Sequence, residues 1–144
     1  MGTFEEILKK DRRLVYKTRG ISMLPMLHQN RDIVVIVPPE VRLKKYDVAL
    51  YKRGSSYVLH RIIGIQDGEY LIRGDNTYRI EHVPQELVIG VLTGFVRNGK
   101  SYTAEDTGYQ IYCRLWNAIY PMRKLLFLMR TAAGKTARLL GLRR

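Results

Sequence analysis

Short blocks of hydrophobic residues recur along most of the chain, separated by glycine, proline, asparagine and aspartate. The blocks are rich in β-branched and aromatic residues, a composition typical of strands. Asp67-Gly68 and Asn98-Gly99 are typical of two-residue hairpin turns. Many short strands at close spacing predict a mainly β body. The predicted strands are residues 14–17, 33–37, 48–51, 57–65, 69–73, 87–92 and 101–103.

Helical patterns flank this body. Residues 3–11 are expected to form a short helix, because Thr3 and Glu6 have capping-box spacing. From about Tyr109 the apolar residues follow a helical period, and Pro121 is expected to break or kink that helix. Gly74-Asp75-Asn76 is typical of a turn, and residues 77–84 are helix-compatible or irregular. The continuous run 33–37 predicts a strand buried on both faces.

The net charge of +12 is distributed unevenly over the 144 residues. All thirteen acidic residues lie at or before Asp106, whereas eight basic residues follow it. Residues 109–144 therefore form a basic, amphipathic, aromatic-rich segment. Three interpretations are open: a helix packed on the sheet as core, a helix in the interface of an anionic membrane, or a nucleic-acid contact. The absence of a recognised nucleic-acid module argues against the last.

Length and composition limit the classes of protein to which the chain can belong. A chain of 144 residues predicts one main domain, with residues 1–108 as the β body. Cys113 is the only cysteine, which excludes an intramolecular disulfide and a cysteine-rich zinc site. No apolar run approaches the ~18–20 residues that cross a bilayer, and no secretory signal is evident. We therefore expect a peripheral membrane or cytoplasmic protein that needs no metal or cofactor.

One serine is a candidate nucleophile. Ser22 lies between Gly20, which permits unusual backbone angles, and Pro25, which fixes φ. A hydroxyl on such a bend can point into a cleft, although an isolated serine of this kind is usually an ordinary loop residue. His60 lies within an apolar strand and is the candidate base, while Asp75 and Glu81 are carboxylates that could orient it.

The sequence motifs around these residues occur in the same order as the motifs of a known family. The chain resembles the S24/S26 serine peptidases, and signal peptidase I in particular, over roughly residues 17–96. Tyr46 stands where the family has a glycine. The matching boxes are the nucleophile box 20–25, Arg31-Asp32-Ile33-Val34-Val35, Lys45-Tyr46-Asp47-Val48-Ala49-Leu50, the base box 60–64, Gly74-Asp75-Asn76, and Val83-Pro84 with Val88-Ile89-Gly90.

The resemblance implies a fold and an activity. The fold would be coiled, barrel-like antiparallel β-sheets of the signal peptidase/LexA-like type. The activity would be that of a serine endopeptidase that removes a signal or leader segment from a peptide bound as an extended strand. Bacterial signal peptidases have lysine as base, so His60 places the chain nearer the endoplasmic-reticulum type. Residues flanking the serine would line the substrate groove: Gly20, Ile21, Met23, Leu24 and Pro25.

Two departures from the family matter. No aspartate follows Gly74-Asp75-Asn76 by a few residues, and Glu81 stands near that place. The supporting carboxylate is thus open between Asp75, favoured by motif position, and Glu81. The family's N-terminal membrane anchor is also not expected, and the segment 109–144 would replace it. A histidine base predicts that activity falls as the pH drops through the ordinary histidine range.

Two other functions are compatible with the same boxes. One is a self-cleaving regulatory domain of the S24 branch, but that branch uses a lysine base, and no lysine lies between Lys52 and Lys100. The other is a peptide-binding relative without catalysis, supported by the altered acidic site.

Overall fold

The computed structural model describes residues 2–141, in which one antiparallel sheet is preceded by one helix and followed by two. The expected mainly β body with a short N-terminal helix and C-terminal helices is confirmed. The helices are α1 (Phe4–Asp11), α2 (Thr107–Ala118) and α3 (Tyr120–Leu139). The strands are β1 (Leu14–Lys17), β2 (Ile33–Val37), β3 (Val48–Arg53), β4 (Ser56–Gln66), β5 (Glu69–Arg73), β6 (Glu81–Pro84), β7 (Val88–Arg97) and β8 (Lys100–Thr103).

Local sequence signals account for several of these boundaries. Thr3 and Glu6 form the capping box that starts α1, each side chain bonding the other's backbone N–H. The β4–β5 hairpin turns at Asp67 and Gly68, whose φ angles are 51° and 79°. Two residues at positive φ match the right-handed twist of the flanking strands. The predicted turn therefore sets the register in which Gln66 faces Glu69.

Among the strand edges left without a partner in the described part of the chain are the outer edge of β1 and the first half of β4. Along the sheet the order is β1-β2-β7-β3-β4-β5-β6. The strand β8 lies off this path and pairs with β7. The first half of the long strand β4 pairs with β3 and the second half with β5. Within the described residues, 56–60 have no strand partner on their second side, and β1 pairs only with β2. Unpaired edges of this kind can accept an added strand.

Two local predictions were wrong. Residues 81–84 form β6, because the free edge of β5 supplies backbone partners and Ile72 pairs with Glu81. The strand β2 is not buried on both faces: Val34 and Ile36 are inaccessible, whereas their neighbours are half-buried. Only one face of β2 meets the main core, and the other is partly covered.

The C-terminal segment divides into a packed helix and an exposed one. Tyr109 and Cys113 of α2 belong to the main core with residues of β1, β2 and β7. The chain bends at Ile119, before the expected Pro121, and α3 then continues to Leu139. Most of α3 is exposed. Residues 142–144, the end of the predicted basic segment, lie outside the described residues. Within 2–141 no helix has both the length and the apolar character to cross a bilayer.

Candidate active site

The loop that carries Ser22 is tied to the sheet by buried polar groups. Asp32 is inaccessible and accepts backbone hydrogen bonds from His28 (2.7 Å) and Asn98 (3.1 Å). Burial alone would raise the pKa of this carboxyl, but these bonds and the Arg31 guanidinium lower it to about 2. The Arg31-Asp32 pair thus closes a loop whose other end is fixed by Thr18, whose N–H donates to the Asp32 carbonyl at 3.0 Å.

Asn76 holds the Ser22 bend from the other side. Its backbone N–H donates to the Ser22 carbonyl at 2.8 Å, and its Nδ2 donates to the Ile21 carbonyl at 3.1 Å. Gly20 begins the bend at a φ of 80°, a conformation that favours glycine. The Ser22 N–H makes no hydrogen bond within residues 2–141. A backbone donor is therefore free beside the hydroxyl, as an oxyanion site requires.

Ser22 and His60 meet at Gly74. A Cβ added to Gly74 would lie 2.6 Å from the Ser22 carbonyl oxygen and 3.0 Å from Nε2 of His60. The serine bend and the imidazole therefore both pack on a position that only glycine can fill. Within the described residues the Ser22 hydroxyl has no hydrogen bond, and Ser22 and His60 line the same cleft on either side of Gly74. Catalytic hydrogen bonds often tighten only when substrate binds.

A tyrosine connects His60 to a carboxylate. Nδ1 of His60 lies 3.3 Å from the Tyr51 hydroxyl, which donates to Oε2 of Glu81. Arg53 forms an ion pair with Oε1 of Glu81 at 2.8 Å. The Tyr51 hydroxyl donates its proton in a hydrogen bond to Glu81. Towards His60 the Tyr51 oxygen is therefore the acceptor, and the imidazole carries its proton on Nδ1. That tautomer leaves Nε2, the nitrogen on the Gly74 side, with a free lone pair.

The protonation states suit this arrangement. Burial lowers the pKa of His60 to about 4, although Glu81 opposes the shift. Burial and the bond to Glu81 raise the pKa of Tyr51, so its hydroxyl stays protonated. His60 is consequently a neutral imidazole near neutral pH, which is the form that can accept a proton from serine.

Asp75, the carboxylate favoured by motif position, lies against other partners. Its two oxygens accept from Nε and Nη2 of Arg61, both at 2.8 Å, and Tyr112 donates to Oδ2 at 2.7 Å. Arg61 is fully buried and also donates to the Tyr46 carbonyl at 3.0 Å. Within residues 2–141 no hydrogen bond joins Asp75 to His60. The geometry therefore favours Glu81 as the supporting carboxylate.

The site lies in a cleft of about 1160 Å³. Ser22, His60 and Glu81 line it, together with β1 and the first half of β4. Of the residues predicted to contact substrate, Gly20 and Met23 line the cleft with Ser22. The other three lie outside its lining: Ile21, Leu24 and Pro25. Residues of β1 and of the unpaired half of β4 thus border the same cleft as the candidate nucleophile and base.

Sequence reasoning missed Tyr51 as a member of the site. An apolar strand predicts a tyrosine buried as core, and Tyr51 is indeed almost inaccessible. The pairing of β3 with β4 brings the two side chains together, because Tyr51 faces Val58 on β4 and His60 lies two residues further along the same face. Knowledge of the β3–β4 pairing would have placed the two side chains diagonally next to each other.

Comparison with known proteins assigns no family to this site. Neither a scan against models of protein families nor a search of curated proteins finds a match for the chain.

Proposed function

We propose that this protein is a serine endopeptidase of the S24/S26 type, resembling signal peptidase I, with Ser22 as nucleophile and His60 as base. The observation that carries the proposal is the packing of the Ser22 backbone and of His60 Nε2 on Gly74, in a cleft that both residues line. The box order of the sequence supports the same assignment, and so does the antiparallel sheet. We also propose that the sheet is a coiled sheet of the signal peptidase/LexA-like type.

The reaction is acyl transfer through a covalent intermediate. Ser22 Oγ attacks the peptide carbonyl carbon while Nε2 of His60 takes the hydroxyl proton, and the imidazolium is supported by Tyr51 and Glu81. The oxyanion is met by the free Ser22 N–H. The C–N bond then breaks as His60 returns the proton to the leaving amine. Water, activated by the same imidazole, hydrolyses the ester and frees Ser22.

The substrate is a signal or leader segment bound as an extended strand. Residues 56–60 of β4 and the outer edge of β1 have no strand partner among the described residues, and both border the cleft. A peptide between them gains backbone hydrogen bonds on its two sides. Such binding depends on an unfolded substrate segment, which is the state of a signal or leader peptide.

The test is cleavage of a peptide library prepared from a denatured proteome, read by mass spectrometry. Wild-type protein should generate new termini, and Ser22→Ala and His60→Ala should lose them by at least about 10³-fold. Matched controls are Ser55→Ala and His82→Ala, which replace an exposed loop serine and an exposed histidine. Cleavage retained in Ser22→Ala, or absent from all proteins, would refute the assignment and leave a peptide-binding protein.

We further propose that α3 holds the enzyme on an anionic membrane surface. Met122, Leu125, Leu126 and Met129 recur at helical spacing and are between 47% and 58% exposed. Phe127 instead packs on Tyr78 of the body, so the apolar stripe faces away from the sheet. The flanking side chains are basic, and no acidic residue follows Asp106. An exposed apolar stripe between cations matches the chemistry of anionic lipid.

The proposed membrane contact uses α3, which is only part of the segment 109–144 expected to act as the anchor. Tyr112 and Trp116 belong to the segment 109–144, but their polar atoms bond to Asp75 of the body. Sedimentation with phosphatidylglycerol vesicles should bind the wild type and fail for Leu125→Ser/Met129→Ser. The control is Ile111→Ser/Leu115→Ser on α2, whose side chains are equally exposed. Equal sedimentation of all three, or a concentration-dependent dimer lost in the α3 variant, would overturn membrane docking.

A further inference from the structure

The cleft is lined by positive side chains on both walls. Lys17 at the end of β1 and Arg19 in the serine loop lie on the wall that carries Ser22. Arg53 at the end of β3 and Arg79 before β6 lie on the wall that carries His60 and Glu81. Four cations around one opening create a positive field within it.

Little negative charge offsets this field. Glu81 is the one acidic residue among the residues that line the cleft, and its carboxylate is paired with Arg53 at 2.8 Å. Within residues 2–141, Lys17, Arg19 and Arg79 form no ion pair, and all three are exposed. Outside the cleft, the exposed Glu40 pairs with Arg12 and the half-buried Asp47 pairs with Lys44. Three unpaired cations therefore converge on the cleft.

We propose that the cleft selects peptides that carry aspartate or glutamate close to the cleaved bond. This inference rests on the proposed peptidase function and names its substrate class. Arg19 is three residues before Ser22 and Lys17 is five residues before it, on the far side of the bend at Gly20. A strand advances about 3.3 Å per residue, so acidic side chains up to about five residues from the cleaved bond come within reach.

The selectivity acts mainly through binding. Each exposed ion pair raises the affinity for the peptide only a few-fold, and the contributions of the three cations to the binding free energy add. Replacing two acidic residues of a substrate by glutamine should raise KM by about tenfold and leave kcat nearly unchanged. Because exposed charges are screened, the difference should shrink to about twofold at 1 M salt, where the Debye length is about 3 Å.

The experiment uses the full-length protein and the same proteome-derived peptide library. New termini made by wild type, and not by Ser22→Ala, should have aspartate and glutamate enriched within five residues on either side. The triple variant Lys17→Gln/Arg19→Gln/Arg79→Gln should lose that enrichment. The control Lys9→Gln/Lys10→Gln/Arg42→Gln removes the same charge from exposed positions outside the cleft and should keep it.

A second measurement separates this inference from the proposed function. Fluorescence anisotropy with Ser22→Ala compares one labelled alanine-serine dodecapeptide carrying two glutamates, two glutamines or two lysines. Tighter binding of the glutamate peptide that depends on Lys17, Arg19 and Arg79 supports the inference, even if no peptide is cleaved. Cleavage without acidic enrichment, or equal binding of the glutamate and glutamine peptides, overturns it and leaves the peptidase assignment intact.

Discussion

Arg61 and Asp75 form a two-pronged ion pair in the interior, with Nε–Oδ1 and Nη2–Oδ2 distances of 2.8 Å. Each is flanked by a residue of the site, because His60 precedes Arg61 and Asn76 follows Asp75. The pair also fixes α2, since Tyr109 and Tyr112 bond to Arg61 and Asp75 respectively. The strand that carries His60, the serine bend and the helix α2 are thus joined through one buried pair.

Asp75→Asn should destabilise the fold more than it alters the chemistry. It leaves the fully buried Arg61 without its counter-charge, and breaking one partner of such a pair costs about 3–5 kcal/mol. Chemical denaturation would measure the change in the free energy of unfolding. Asp11→Asn, at an exposed position, is the control and should change stability by less than about 0.5 kcal/mol. A loss of turnover at unchanged stability would return Asp75 to the catalytic site.

Tyr51→Phe and Glu81→Gln should slow the chemical step without unfolding the protein. Phenylalanine removes the acceptor of the His60 Nδ1 proton, and glutamine removes the charge that supports the imidazolium. Each should lower kcat by about 10- to 100-fold, below the 10²–10⁴ that proton transfer supplies, with KM little changed. Tyr102→Phe is the control, because its hydroxyl has no hydrogen bond within the described residues. Wild-type kcat in both variants would leave Ser22 and His60 as a simple dyad.

Gly74→Ala should reduce activity strongly, because the new Cβ would fall 2.6 Å from the Ser22 carbonyl and 3.0 Å from His60 Nε2. Since the first contact is to backbone, the serine bend must move to accommodate it. Misplacement by about 1 Å can cost about 10²-fold in rate. Gly108→Ala is the control, because its added Cβ would meet no atom within 4 Å. Comparable kinetics of the two variants would contradict the packing of Ser22 and His60 on Gly74.

The pH dependence of kcat/KM should be displaced from the ordinary histidine range. Only neutral imidazole can accept the serine proton, and burial lowers the pKa of His60 from 6.5 to about 4. Activity should therefore hold from pH 8 to 5 and fall as the pH drops through about 4. The sequence alone predicted a fall near the unperturbed value, and burial moves that window down. A midpoint between pH 6 and 7 would show an exposed or differently paired base.

The same shift should make stability depend on pH. Between pH 6.5 and about 4 the unfolded chain binds a proton at His60 that the folded protein excludes, so stability falls as the pH decreases. At about 1.4 kcal/mol per pKa unit, the loss reaches about 3 kcal/mol near pH 4. Denaturation of wild type and His60→Gln across this window measures it. The variant should lack this part of the slope, and identical slopes would contradict the burial effect.

Local chemistry in the sequence predicted much of the scaffold. The capping box of α1, the turns at Asp67-Gly68 and Asn98-Gly99, and seven of the eight strands follow from short-range preferences that act within a few residues. The strand β6 escaped prediction because its own residues carry no strand pattern, and the free edge of β5 supplies its hydrogen bonds.

The sequence by itself determined which residues carry the candidate chemistry: one serine on a glycine–proline bend and one histidine inside an apolar strand. Only the tertiary structure decided how they are connected. Tyr51 and Glu81 join His60 because the sheet registers bring β3, β4 and β6 together, whereas the buried Arg61 takes Asp75 away from it. Buried charges require partners that are distant in sequence, and pairings of that kind are fixed by packing and not by local pattern.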